Sequence, residues 1–270
     1  PTFDGNLFVS GLTQAKMDSM NSDEKRPQFN KVIGGGYPPA STFKMAVMLA
    51  GLEKGVINPR ERIVCTGKTD LGNRAFHCWE DKGHGPVNLR GSLKHSCDVY
   101  YYEIAQRLGM EDLHNIAQRL GMGQTYDLGI SGQTSGIVPT PEWKRKRLGT
   151  GWRMGDALNA CIGQGFVLAT PLQLAVMAAR LANGRDAVTP RLIIGEEMPE
   201  FAPLNINPQH LWMVQKAMWS VCEEPGGTAY RRDSLGMRNV DMAGKTGTGQ
   251  VRGISTRERL GGVINNRELP

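Results

Sequence analysis

The residues best equipped for chemistry begin in "GGGYPPASTFKMAVMLAGLEKG", residues 34 to 55, where glycines and two prolines precede Ser41-x-x-Lys44 and an apolar stretch. A phosphate-cradling loop needs Gly directly before its Lys and Ser or Thr directly after. Phe43 and Met45 occupy those places, which disfavours phosphate. A seat for a nucleophile fits better. Pro38 and Pro39 cannot continue a helix from upstream, and Phe43, Ala46, Val47, Met48, Leu49 and Leu52 read as a buried helix ending at Gly55. Ser41 then sits at the helix N-terminus, where unpaired N–H groups and the dipole favour a developing oxyanion. Lys44, three residues on, shares its face and can reach the hydroxyl as a base, with desolvation lowering its pKa. By itself the pair reads more readily as an N-cap serine beside a solvated lysine, because Ser-x-x-Lys alone is common.

Two further groups bear on that choice. "KHSCDVYYYE" places Ser96 and Asp98 just before a helix, and "GKTGTGQ" places Lys245, Thr246, Gly247 and Thr248 on a strand near the end. A fourth group is separate. Cys65, Cys78, His84 and Cys97 follow a C-x12-C-x5-H-x12-C spacing, which supplies three thiolates and one imidazole for a closed structural zinc site. The alternatives are a Cys65–Cys78 disulfide with Cys97 free, or three unrelated thiols. Cys97 lies between Ser96 and Asp98 and points away from them if they point inward, so a metal there would brace the loop without joining the reaction. Cys161 and Cys222 sit in apolar segments and read as packing residues.

These groups need elements to hold them. "FDGNLFVSG" reads as a short strand; residues 56–192 read as mainly helix and loop, with helical spacing in "SCDVYYYEIAQRLGM", "EDLHNIAQRLGM" and "TPLQLAVMAARLANG". A helix near "PQHLWMVQKAMWSVCEE" and a strand at "VDMAGKTGTGQV" follow. The expected fold is therefore α/β (α+β), one domain over 1–270 with a mainly helical lobe at about 56–192 inserted in an α/β lobe. With 270 residues and 40% hydrophobic content the chain can bury a sizeable core, and it holds no run of roughly 20 apolar residues. The net charge of +6 suits an acidic surface, but the basic residues are scattered except in "EWKRKRLGTGWR", read as a solvated basic loop. Aromatics are 7% and do not interleave with that cluster, which argues against nucleic acid. His77, His95, His114 and His210 read as surface or loop residues; Trp143, Trp152, Trp212 and Trp219 read as packing residues, with Trp152 a candidate for the cleft wall.

Ser-x-x-Lys, Ser-x-Asp and Lys-Thr-Gly, in this order, resemble the active-site set of penicillin-recognising serine enzymes. "YPPASTFK", "IGQGFVLATPLQLA", "GIVPTPEWKRKR" and "AGKTGTGQV" look most like the elongation-specific class B penicillin-binding proteins, from about Phe3 to Pro270. The resemblance implies a serine transpeptidase and β-lactamase-like fold, an antiparallel sheet flanked by helices. It also implies a peptidoglycan D,D-transpeptidase that uses a Ser41 acyl-enzyme, is acylated by β-lactams, and needs no cofactor for catalysis. Lys44 would take the Ser41 proton, Ser96 would relay it to the leaving amine, and Asp98 would hold Lys44. The N–H groups of Ser41 and Thr248 would form the oxyanion hole; Lys245, Thr246 and Thr248 would bind the substrate carboxylate, and Gly247 would leave room for substrate backbone. Many relatives carry Asn where Asp98 stands, and a carboxylate there favours the charged ammonium. The family continues into two strands and a final helix past "NNRELP", so the resemblance reads the chain as a domain cut short. It also implies a membrane anchor, a pedestal domain, a glycan polymerase partner and a place on the periplasmic side of the inner membrane. Rival readings are a serine β-lactamase, for which Glu142 is the available carboxylate, and a non-enzymatic β-lactam sensor.

Overall fold

The computed structural model describes residues 4–249 apart from 10, 194, 196–198 and 231–239. At its centre lies a helix that is apolar all round, the pattern of an element with no face to give to water. Residues 40–53 contain no proline, and Pro38 and Pro39 stop any helix from upstream, so the chain enters by one 3₁₀ turn, Ala40–Phe43, and continues as a buried helix, Lys44–Glu53. Two helices before it, Asn6–Val9 (α1) and Gln14–Ser22 (α2), have no buried residues, and Lys31–Gly34 (α3) buries only Ile33. The central helix is α4. Around it pack Leu89–Lys94 (α5), Asp98–Ala105 (α6), Met110–Arg119 (α7) and the long C-terminal helix Pro208–Glu223, while Pro141–Leu148 (α8), Met154–Cys161 (α9) and Pro171–Asn183 (α10) complete the helical part. The Pro208–Glu223 helix is α11.

Four short strands interrupt the region read as mainly helical. Ile63–Cys65 (β1) pairs antiparallel with Gly85–Val87 (β4), and Lys68–Leu71 (β2) pairs antiparallel with Arg74–His77 (β3) across a two-residue turn. Runs of three or four residues are too short for alternation to show in a sequence. The expected strand at "FDGNLFVSG" is corrected: Asn6–Val9 is helix α1, while Phe3 and Ser10 lie outside the described residues. Asp4 explains the difference, because its carboxylate accepts from the Asn6 N–H and starts a helical turn. "PEWKRKRL" is also corrected, from loop to helix α8. Thr140 accepts from the Trp143 N–H, Pro141 fills the first turn, Gly149 takes the left-handed C-terminal conformation, and Arg145, Lys146 and Arg147 favour the negative end of the dipole. No strand forms over 240–249 among the described residues; the segment is held by isolated bonds to α11, and residues 250–270 lie outside the description.

The turn that carries Ser41 is shaped from behind. Ala40 has φ +48°, a left-handed backbone that costs an L-residue about 1 kcal/mol or more. Its N–H donates to the Gly163 carbonyl at 2.9 Å, and Tyr37 and Ala169 exchange two 2.9 Å backbone bonds beside it. "CIGQGFVLATP" thus forms a wall that fixes Pro38–Ser41. Gly163 is itself left-handed, φ +69°, and a Cβ there would press into the Ala40 carbonyl oxygen and lie 2.8 Å from the Ala40 nitrogen. No side chain fits. Gly163→Ala should therefore lower stability by roughly 2 kcal/mol, a fall of about 5 °C in Tm, whereas Gly151→Ala, whose Cβ meets open space, should change it by less than about 0.5 kcal/mol. Equal melting curves for the two variants would show that the wall yields.

Candidate active site

Lys44 begins α4 directly after the Ser41 turn, and its side chain has no solvent exposure. A buried amine must find acceptors. Its Nζ donates to Asp98 Oδ1 at 2.7 Å, to the Ser96 carbonyl at 2.9 Å and to Ser96 Oγ at 3.3 Å, and it stands 5.2 Å from the Tyr101 ring centre. Three acceptors match the three protons of an ammonium. The second motif is built to supply them. Helix α5 ends at Lys94, Ser96 takes φ +54°, and Cys97 caps α6, whose first residue is Asp98. That left-handed residue turns the chain so that its own carbonyl and hydroxyl both face Lys44, while Asp98 stays at a helix N-terminus that favours its negative charge.

Ser41 is half-buried, and no side-chain hydrogen bond joins its hydroxyl to Lys44 Nζ among the described residues. The structure thus brings Lys44, Ser96 and Asp98 together and leaves Ser41 one turn away, hydrogen-bonded through its carbonyl to the Lys44 N–H. Catalytic hydrogen bonds often tighten only when substrate binds.

The third motif passes in front of the same turn. A Cβ on Gly247 would meet Thr42 Cγ2 at 3.0 Å and the Pro39 carbonyl oxygen at 3.4 Å, and one on Gly249 would meet the Pro38 carbonyl oxygen at 3.3 Å. Glycine here permits close passage. Helix α11 holds the segment: the Gly244 N–H donates to the Met218 carbonyl at 3.2 Å, Met242 N–H to Glu223 Oε1 at 2.7 Å, and Trp219 Nε1 to Asp241 Oδ2 at 3.1 Å. Lys245 is half-buried, with Nζ donating to the Thr246 carbonyl at 2.9 Å, and Thr246 shares a 2.8 Å hydroxyl bond with Thr228. Desolvation first, then repulsion from Lys44, pushes the Lys245 amine down to about 7, against an opposing pull from Asp98. Lys245 therefore lies within the field of the Lys44–Asp98 pair. Thr248 is exposed at the open side.

The ligand atoms of Cys65, Cys78, His84 and Cys97 all lie within 4.8 Å of one another, and Cys97 joins this cluster to the Ser96–Asp98 loop that holds Lys44. Both Cys65 Sγ and Cys78 Sγ stand 3.6 Å from His84 Nδ1, all three cysteines are buried and unbridged, and His84 Nε2 is buried with no partner among the described residues. A hydrogen bond from Cys97 holds the Cys78 thiol down at about 5, and the same pairing, with burial, pushes Cys97 up. The three thiols are thus related. Cys161 and Cys222 are buried elsewhere, and burial pushes Cys161 up to about 12.

The remaining candidates fall outside the site. His114 bonds the Val138 carbonyl, His210 bonds Glu53 Oε1 at 2.7 Å, and His77 is exposed. The reading of His114 and His210 as loop or surface residues is corrected, since both sit half-buried on helices. Trp212 is 55% exposed, which corrects its reading as a packing residue. Trp152 packs against the core edge near Lys144, whose Nζ pairs with Asp156 at 2.6 Å. Sequence reasoning passed over two residues that matter. Gly163 was legible only as part of a family-like string, and Trp79, beside Cys78, donates its backbone N–H to Asp98 Oδ2 at 3.1 Å.

With this geometry in place, comparison with known proteins is informative. The family model described as "Penicillin binding protein transpeptidase domain" matches residues 1–260. The peptidoglycan D,D-transpeptidase MrdA of Haemophilus influenzae is 32% identical over 281 residues, covering 100% of this chain and 43% of the relative. The chain thus spans less than half the length of that curated relative. The crystal structure of Pseudomonas aeruginosa PBP2 in complex with WCK 5153 superposes with a TM-score of 0.84 at 36% identity, covering 93% of this chain and 59% of the other. A peptidoglycan synthase complex, described for its structural coordination of polymerization and crosslinking, gives a TM-score of 0.81 at 30% identity, covering 92% and 42%. The penicillin-recognising fold expected from the motifs is the fold of this chain, and the chain belongs to the penicillin-binding protein transpeptidase domain family.

Proposed function

We propose that this chain is the catalytic domain of an elongation-type peptidoglycan D,D-transpeptidase, in which Ser41 is acylated by the penultimate D-alanine of a stem peptide. The observation that carries the reading is the buried Lys44, held by Ser96 and Asp98 one turn from Ser41, with Lys245 in its electrostatic field. The similarity to MrdA and PBP2 supports the substrate class.

The residues divide the reaction as follows. Ser41 Oγ attacks the carbonyl carbon of the scissile peptide bond and gives up its proton to Lys44. Lys44 must first release one of its own three protons, and Asp98, at 2.7 Å, is the nearest acceptor within a coupled pair. The C–N bond breaks, Ser96 passes a proton from Lys44 to the leaving amine, and D-alanine departs. An acceptor amine then attacks the ester and restores Ser41. In a β-lactam the leaving nitrogen stays tethered, so the ester persists. Backbone N–H groups of Ser41 and Thr248 hold the oxyanion, and Lys245 with Thr246 and Thr248 holds the terminal carboxylate.

The cysteine cluster fits zinc. Bond lengths of about 2.3 Å to sulfur and 2.1 Å to nitrogen in a tetrahedron put S and N roughly 3.6 Å apart, the separation found at His84. Nδ1 is the ring nitrogen that faces the two thiols, so it would be the ligand atom and Nε2 would carry the proton. Zinc held by Cys65, Cys78, His84 and Cys97 would supply a structural brace and no catalytic step. The parent protein would work on the periplasmic side of the inner membrane beside a glycan polymerase, a reading supported by the likeness to a synthase complex. No helix among the described residues is long and apolar enough to cross a membrane.

Three outcomes test these readings. In an intact-mass time course with penicillin, the native chain should form a stable one-to-one adduct and Ser41→Ala none; rapid loss with penicilloate release would instead identify a β-lactamase. The Lys245 ammonium exists below pH 7 and is lost above it, so second-order acylation by a carboxylate-bearing penicillin should fall toward tenfold per unit above about pH 7. Lys245→Arg should abolish that fall, and a flat native profile from about pH 6 to 9 would remove Lys245 from carboxylate binding. Purified protein should hold about one zinc per chain, and its removal by chelator should lower Tm by about 5 °C or more. Metal-free protein with a Cys65–Cys78 bridge in its mass map would sink the zinc reading.

A further inference from the structure

Asp98 has two carboxylate oxygens and the mechanism uses one. Oδ1 faces Lys44 at 2.7 Å; Oδ2 accepts the backbone N–H of Trp79 at 3.1 Å. A carboxylate held at one oxygen only can rotate about its terminal torsion, so the second bond decides whether the first keeps its direction.

The location of that donor is informative. Trp79 directly follows Cys78, and Asp98 directly follows Cys97, and these two thiols meet in the cluster. The peptide after one cluster cysteine therefore clamps the side chain after the other. Trp79 is also pinned through its side chain, although the residue is 58% exposed: indole Nε1 donates to the His95 carbonyl at 3.0 Å, and the ring stands edge-on to His84 with centroids 5.2 Å apart. An exposed tryptophan held at two points serves to fix its own backbone.

We propose that Trp79 is a positioning residue for acylation, acting through Asp98 on Lys44, and that it is the route by which the cysteine cluster sets the geometry of the catalytic pair. This rests on the reading of Ser41 and Lys44 as nucleophile and base. Trp79's hydrogen bonds go to Asp98 and His95, and none joins it to Ser41 or Lys44 among the described residues. Its amide orients Asp98 Oδ2, and its indole keeps the amide in place.

The test separates amide from indole. Rapid-mixing acylation by penicillin is followed over a concentration range for the native chain, Trp79→Ala, which keeps the N–H, and Trp79→Pro, which removes it, with zinc content and Tm measured on each. The limiting acylation rate should fall about threefold in Trp79→Ala and at least about tenfold more in Trp79→Pro, with half-saturation unchanged within about twofold. Equal rates for Ala and Pro variants at equal zinc content overturn the proposal, as does a change confined to half-saturation, which would make Trp79 a ligand contact. Should Trp79→Pro not fold, a cycle decides: with Asp98→Asn present, Trp79→Ala should lose its effect to within about 1.5-fold, and additive effects overturn the proposal. A native chain that forms no adduct refutes the Ser41 reading itself, whereas normal native acylation with silent Trp79 variants refutes this inference alone.

Discussion

A lysine ammonium with no access to water is the constraint that the rest of this structure satisfies. Removing such an ion from solvent costs several kcal/mol even after relaxation, and a single counter-ion rarely offsets that unless every donor is matched. Lys44 is matched by one carboxylate, one carbonyl and one hydroxyl, all from Ser96 and Asp98. Much of the local architecture follows. The left-handed turn at Ser96 presents two acceptors from one residue, the start of α6 receives the Asp98 charge, and the Tyr101 ring closes another side of the amine.

Two walls then place Ser41 relative to that ion. Behind the Ser41 turn runs the segment with Gly163 and Ala169, joined to it by backbone bonds; in front runs the Gly247–Gly249 segment, anchored on α11. Backbone on both sides suits a site where carbonyl and amide groups of a peptide must lie close. Lys245 stands near the Lys44–Asp98 pair, where desolvation first and repulsion from Lys44 second act on its amine. Burial, with Lys44 nearby, holds Lys245 near the edge of ionisation at neutral pH.

The sequence made the chemistry more legible than the scaffold. Ser41, Lys44, Ser96, Asp98 and Lys245 could be named because they fall in three short motifs whose residue types and order resemble those of penicillin-recognising serine enzymes. Helices α6, α7, α10 and α11 were readable because they repeat an apolar face and stop at glycine or a polar break. The strands β1 to β4 were not readable, since three or four residues carry no period. Helix α8 was hidden by its composition: a run of lysines and arginines resembles a solvated loop until the Thr140 cap and Gly149 stop are weighed together. Trp79 left no signal at all, because its contribution is a backbone N–H, which every residue but proline owns. The convergence of Cys65, Cys78, His84 and Cys97 was suggested by spacing alone and depended on strand pairing that could not be foreseen.

The burial of Lys44 also governs the order in which the chain can fold. Its acceptors lie 52 to 54 residues downstream. Local contacts ordinarily form first, and a chain emerging from synthesis would be expected to close its early helices before later ones exist. Helix α4 cannot follow that course. Packing its apolar surface before residues 96–98 arrive would strand an uncompensated ammonium in a dry core. The most apolar helix of the domain therefore completes its packing only together with the 96–98 loop, and the Ser41 turn that precedes Lys44 is completed with it.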